Sequence, residues 1–430
     1  MKQRAFKGEI TLFLSLIFLL LLSLVGAVIQ SASIHISKSR KRADTALALE
    51  SVFAEYHPEM LEKYDIFVIA GREETEISES LWFYGANHME HRIQSLRLLT
   101  DGDGQAFYEQ AIRAMGGEAS GTFQVSNENR DSEEHAVRQK LGEILDEEGQ
   151  SMPEADNPIA AVEGLKQRSL LSLICPAEET LSNRSVTVEE LASHRTLYQG
   201  SASYGESQKG GGTDKILFTA YLLEHFLDYS EEPEEGALAY EAEYLLCGLP
   251  DDRGNLEAVA KKLLPIRLAA NYTYLLTDSV RQAEAEAMAL TLSSLLTVPG
   301  AAEVVKQALL FAWAYGESIV DLRVLWQGKK VPLVKSNETW QLQLANVSKL
   351  GTAEEVTESL DTGSGLRYED YLKALLFLAE ENTLCMRALD IMECNLGVRA
   401  DDCVTALGIQ STCTLQRGIR DTFLTEYQYR

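Results

Sequence analysis

The sequence has no CxxC pair, no HExxH and no glycine-rich spacing of the P-loop, dinucleotide-binding or nucleophile-elbow kinds. These absences argue against zinc-ribbon and thioredoxin-like proteins and leave no short motif for nucleotide binding or serine hydrolysis. Basic residues are scarce as well: 39 Lys and Arg stand against 65 Asp and Glu, a formal net charge of -26. That surplus of carboxylates repels phosphate backbones, so nucleic acid is not an expected partner; its plainest consequence is solubility. Cysteine is sparse, at Cys175, Cys247, Cys385, Cys394, Cys403 and Cys413, and the last four are spaced nine or ten apart. They allow a small C-terminal disulfide framework if that region is extracellular, or buried free thiols packing as small hydrophobes. No repeat of solenoid period is present.

What is present is a chain of 430 residues, 45% hydrophobic and 24% charged, ample for a buried core and for two to three domains. Residues 10–29 read ITLFLSLIFLLLLSLVGAVI, without a charge. About 20 apolar residues cross a bilayer core of ~30 Å, and only a helix satisfies its own backbone there. The reading is a cytoplasmic tail over 1–9 and a transmembrane helix over 10–29, with the lipid bilayer as the partner of that segment. Lys2, Arg4 and Lys7 favour a cytoplasmic N-terminus, but His35, Lys38, Arg40, Lys41 and Arg42 follow the span, so flanking charge alone leaves orientation nearly tied. Val25-Gly26-Ala27 offers the small residues of a signal-peptide cleavage site. An uncleaved anchor is preferred, because the pattern runs on without a break into a membrane-exit helix over 30–57. There Ala43, Ala46, Leu49, Phe53 and Tyr56 recur at helical steps until Pro58.

The expected fold is mostly α with minor β (α+β): the long N-terminal transmembrane helix continues into a helical extracytoplasmic domain. Residues 58–199 read as a helical region with one short strand, Tyr64–Ala70. Helices are expected near Ser80–Leu98, Gln105–Met115, Glu133–Glu147 and Ala160–Leu173. Residues 200–212 (GSASYGESQKGGG) read as a linker or loop, and 213–430 as a helix-rich α+β domain. In that domain Thr213 caps a helix to about Leu227, and the alternation from Leu238 to Cys247 predicts a strand with one buried face. After Asp251-Asp252 the stripe Leu256, Val259, Leu263, Ile266 and Ala270 predicts a helix, kinked at Pro265. Helices follow over Ser279–Leu296 and Ala301–Trp326, then a hairpin-like pair, Lys330–Lys335 and Trp340–Leu344, then helices over Tyr368–Glu381 and Met386–Asn395.

Signs of chemistry are few. His88 and His91, three apart, would lie on one face of a helix as half a metal site, but no second His or Cys cluster completes it. Asp101-Gly102-Asp103-Gly104 begins like a calcium loop, lacks the third acidic position, and reads as a turn. The run Glu231 to Glu235 reads as a solvated loop. No catalytic, cofactor-binding or metal residue is assigned, and the balance falls on a non-enzymatic protein. An anchored envelope hydrolase using a carboxylate pair remains an alternative, as does a membrane-tethered sensor or scaffold with its domain in the cytoplasm.

Lys7-Gly8-Glu9-Ile10-Thr11 followed by the apolar span resembles the N-terminus of TadE/TadG-like proteins of Tad-type pilus systems. The resemblance covers about the first fifth of the chain. It implies a single span running into an extracytoplasmic domain and protein partners in the envelope. Cutting after Gly8 would put Phe13 fifth and Glu9 first, unlike the pilin pattern of a fifth-position Glu. Across most of the chain, Ser51-Val52-Phe53-Ala54-Glu55-Tyr56, Tyr240 to Gly248 (YEAEYLLCG), Trp313-Ala314-Tyr315 and Val331-Pro332-Leu333-Val334-Lys335 are similar to an uncharacterised, membrane-anchored domain-of-unknown-function family of Gram-positive anaerobes. That family implies no activity. The expectation is therefore a single-pass membrane protein with its bulk outside and a structural or accessory role, in a Tad-type pilus or secretion assembly.

Overall fold

The computed structural model describes residues 7–71, 73–122, 169–175, 181–201, 212–233, 235–296, 302–351, 361, 363–415 and 418–429. The helices expected at Glu133–Glu147 and over most of Ala160–Leu173, and most of the 200–212 segment, lie outside these residues. The chain is mostly helical with a small antiparallel sheet, as its periodicity predicts, and forms two compact units. The first comprises Met1–Gly102, Leu197–Ser207 and Val398–Arg430; the second comprises Asp103–Thr196 and Gln208–Gly397.

The first unit is built on α1 (Lys7–Phe53), a single helix of 47 residues and therefore ~70 Å long at 1.5 Å per residue. It contains no proline, and its one glycine after residue 9 is Gly26. It stops at Phe53, five residues before Pro58, which instead opens α2 (Pro58–Tyr64) with His57 as N-cap. The buried stripe falls on Thr45, Ala48, Leu49, Val52 and Phe53, while Ala43 and Tyr56 are exposed. α1 packs against α3 (Glu74–Phe83) and the sheet. In that sheet β3 (Cys403–Thr414) is central. β2 (Met89–Leu98) pairs with it antiparallel along one edge. The other edge takes β4 (Arg420–Gln428) and, at Val404–Cys403, β1 (Ile69–Ala70).

Two expectations fail here. Tyr64–Ala70 is not a strand throughout: Tyr64 ends α2, and only Ile69–Ala70 pairs with β3. Ser80–Leu98 is not one helix: α3 ends at Phe83, His88 takes a positive φ of 59°, and β2 follows. A left-handed residue cannot continue a right-handed helix, and from Met89 the burial alternates with period two.

The second unit is helical: α4 (Asp101–Thr122, within this unit from Asp103), α5 (Leu170–Ile174), α6 (Gly212–His225), α7 (Glu241–Cys247), α8 (Asp252–Thr277), α9 (Ser279–Leu296), α10 (Ala302–Trp326), α11 (Tyr368–Leu378) and α12 (Glu381–Leu396). α10 lies at its centre, buried without a break from Ala312 to Trp326, with α8 and α9 against it. α8 begins where predicted: the Asp251 carboxylate accepts from the Gly254 amide at 2.8 Å, and Leu256, Val259, Leu263 and Ile266 are buried. The helix runs through Pro265 without a break to Thr277.

Two further expectations are corrected. Leu238–Cys247 is not a strand; Glu241–Cys247 is a helix, and Glu241 and Glu243 are buried inside the protein, not facing water. Their carboxylates accept the backbone amides of Leu227 and Tyr229, at 3.3 and 3.0 Å, so the apolar/polar alternation reflects inward capping. Nor do Lys330–Lys335 and Trp340–Leu344 pair as a hairpin. Val331 bridges to Leu366, and the amides of Gln341 and Leu342 bind the Glu317 side chain. The bridge leaves no space beside Gly365, whose φ is +111° and whose added Cβ would fall 2.3 Å from the Val331 carbonyl oxygen. Gly365→Ala is expected to cost about 1–3 kcal/mol in chemical denaturation, because the neighbour is backbone and cannot turn away.

Candidate functional site

The two halves of α1 differ in surroundings. Every residue from Ile10 to Ile29 is exposed, and this is the one described helix long and apolar enough to cross a membrane. The far half is built into the first unit. Phe53 stacks near Tyr427 and Tyr429, with ring centroids at 4.5 and 5.0 Å, and the Tyr429 hydroxyl donates to the Phe53 carbonyl. Asp421 at the start of β4 receives Lys38 at 2.9 Å and Arg42 at 3.4 Å, and the Lys38 hydrogen bond holds its carboxyl below the usual range. Lys41 donates to the Asn87 carbonyl at 3.2 Å. Three of the basic residues that follow the span are thus engaged by the fold.

The second unit holds a buried network of four charges, two of each sign. Arg267 on α8 donates to Asp321 on α10 through Nε at 3.0 Å and Nη2 at 2.8 Å. Lys335 lies 2.6 Å from the other Asp321 oxygen and 2.7 Å from Glu317. Asn271 bridges Ser318 and Asp321 at 3.0 and 2.8 Å, and Arg267 also reaches the Tyr371 hydroxyl at 3.1 Å. Burial opposes ionisation of Asp321, but Arg267 and Lys335 outweigh it and keep the carboxyl below its usual range. Glu317 goes the other way: burial exceeds the pull of Lys335 and raises it. A signal for this network was in the sequence, since Glu317 and Asp321 stand one helical turn apart in the largely apolar second half of α10. Their partners Arg267 and Lys335 come from distant segments.

A second buried group is Glu243. One oxygen accepts from the Tyr368 hydroxyl at 2.6 Å and the Tyr229 amide at 3.0 Å; the other has no hydrogen-bond partner among the described residues. Burial pushes its carboxyl up to about 8, and the neighbouring Asp228 adds to the effect. Asp228 is itself buried and accepts from the amide and hydroxyl of Ser230. Glu243, Glu317 and Asp321 are fully buried, so as folded none of them presents an oxygen to a substrate.

The residues singled out from sequence are not brought together. His88 and His91 do not share a helix face. His91 sits on β2, where Nε2 donates to the Ala86 carbonyl at 2.8 Å and Nδ1 accepts from Ser411 at 2.9 Å. Burial lowers its pKa, which favours the neutral ring. Asp101 opens α4: its carboxylate accepts the amides of Leu98 and Gly200, both at 2.8 Å, and Gly102, Asp103 and Gly104 all have positive φ. The six cysteines are free thiols, and burial pushes Cys247 and Cys394 to about 11. Among the described residues no three His, Cys, Asp or Glu side chains group as metal ligands.

Fold and surface together define an α+β protein with one exposed apolar helix as its distinctive external feature. The chain belongs to a family of unknown function, DUF5702, which it matches over residues 148–415. Three of the four segments that suggested an uncharacterised family, at Tyr240–Gly248, Trp313–Tyr315 and Val331–Lys335, lie inside that match. No curated protein and no solved structure matches the chain.

Proposed function

We propose that this is a single-pass, membrane-anchored envelope protein of Gram-positive anaerobes. Its bulk lies outside the cytoplasmic membrane, and its role is structural or accessory, in a surface assembly of the Tad pilus or secretion type. One observation carries the anchor: a single uninterrupted helix is bare and apolar over Ile10–Ile29 and part of a folded core from Thr45 to Phe53. Burying that bare stretch in lipid removes the largest run of exposed apolar side chains from water. Engagement of Lys38, Lys41 and Arg42 by the folded unit supports the sidedness, because it gives those charges a structural role. Lys2, Arg4 and Lys7 then stand against only His35 and Arg40 as the topological signal. The central carboxylates, sealed and paired, support a non-enzymatic role.

The expected result is that the full chain sediments with membranes and resists extraction at high salt, while a chain lacking residues 1–29 stays in the supernatant. Alkaline phosphatase fused after Arg430 is expected to be active in cells. An active cytoplasmic reporter at the same position would overturn the sidedness, and a soluble full-length chain would overturn the anchor.

A further inference from the structure

β4 runs beside the second half of α1 in the same sense. Descending α1 from Phe53 through Arg42 to Lys38, the partners on β4 pass from Tyr427 and Tyr429 to Phe423 and then Asp421. The step from Phe53 to Arg42 covers ~16 Å of helix. The matching step on β4 covers ~13–20 Å of strand. Helix and strand therefore descend together toward the apolar span. Below Asp421, β4 begins at Arg420, and the turn to β3 is closed by hydrogen bonds from Leu415 N to Ile419 O (2.7 Å) and from Gly418 N to Leu415 O (3.2 Å). Gly418 is thus ~12–16 Å below Phe423, level with about residues 31–34 of α1.

The surface of α1 gives an independent mark of the same depth. Gln30, Ser33, Ile34, Ser37, Lys38 and Lys41 are partly covered, at helical spacing, while Ser31, Ala32, His35 and Ile36 between them are exposed. The face of α1 turned to its own unit therefore extends to Gln30, one residue beyond the apolar span. The polar layer on each side of a bilayer core is ~5–7 Å thick, which is about four residues of helix. At this level the turn carries Ile419, which is 36% exposed, beside the exposed Arg420, while Leu415 packs on the core. An exposed aliphatic side chain next to a cation suits the acyl and phosphate boundary of a lipid surface.

We propose that the start of β4 is a second membrane contact: with α1 in the bilayer, Ile419 and Arg420 sit in the lipid head-group layer and seat the first unit on the membrane surface. The inference rests on the reading of α1 as an anchor. The test uses the full-length chain in phosphatidylcholine–phosphatidylglycerol vesicles, with a photoreactive benzoylphenylalanine placed singly at Ile419, at Leu424 or at Ile29. Leu424 is exposed on the same strand but farther up α1, and Ile29 is in the span. Lipid adducts are expected at Ile29 and Ile419, and severalfold fewer at Leu424. The same probe at Arg420 repeats the measurement if the Ile419 variant misfolds. Adducts at Ile29 with none at residues 419 and 420, or with as many at Leu424, would overturn the seating and leave the anchor standing. No adduct at Ile29 would overturn the anchor and the seating with it.

Discussion

Asp321→Ala is expected to destabilise the second unit by about 3–5 kcal/mol, the usual cost of removing one partner from a buried ion pair. Asp321 accepts from Arg267 and Asn271 with one oxygen and meets Lys335 with the other, and all four side chains are fully buried. Truncation leaves two cations facing one remaining carboxylate, Glu317, which is bound to Lys335 and to the Gln341 and Leu342 amides. Among the described residues Arg267 then keeps the Tyr371 hydroxyl and the Leu333 carbonyl. Urea unfolding followed by tryptophan fluorescence reads the effect, since Trp313 and Trp340 both donate to the Leu342 carbonyl beside this network. The exposed pair Lys261–Glu257 on α8 is the internal comparison. Glu257→Ala is expected to cost no more than about 0.5 kcal/mol, because solvent already screens that pair. Equal effects at the two positions would contradict the buried network.

Glu243→Gln is expected to change how stability depends on pH. The folded carboxyl titrates at about 8, against 4.5 when unhindered. A raised folded-state value means that the contribution is fully present below 4.5 and is lost as pH rises through about 8. The interval is worth on the order of 5 kcal/mol. Glutamine keeps an acceptor for the Tyr368 hydroxyl and the Tyr229 amide and never ionises. The wild type should lose stability relative to the glutamine variant steadily between pH 5 and 8, and the difference should level off above that. Urea midpoints of the two chains at a series of pH values test this. Parallel curves across the window would show that Glu243 is not protonated in the fold.

These two sites explain where the sequence could be read and where it could not. At α7 the residues Glu241 and Glu243 looked like the solvent face of a strand because charged side chains usually face water. Their true partners, the amides of Leu227 and Tyr229, lie 14 residues away and come close only in the folded unit. Lys330–Lys335 and Trp340–Leu344 misled for a related reason: those arms are organised by Glu317, not by each other. The sheet was hidden differently. β3 is buried at every position from Cys403 to Ile409, so both faces are covered and no alternation betrays it. β4 does alternate in burial, with Asp421 and Phe423 inward and Arg420, Thr422 and Leu424 outward, but a carboxylate faces in and a leucine faces out, so hydropathy did not mark it as a strand.

The sequence by itself determined α1, because an uncharged apolar run followed by a helical pattern without proline leaves the backbone no other way to satisfy itself. It also determined the helical character and the start of α8, where Asp251 caps the first turn, for these depend on neighbours within a few residues. Tertiary structure alone decided the pairing of Ile69 and Met89 with strand residues more than 300 positions later, and the meeting of Arg267, Glu317, Asp321 and Lys335. It also decided that Lys38 and Arg42 meet Asp421, nearly 400 positions later. Local periodicity records which way a side chain faces, but the identity of what it faces is a property of the folded chain.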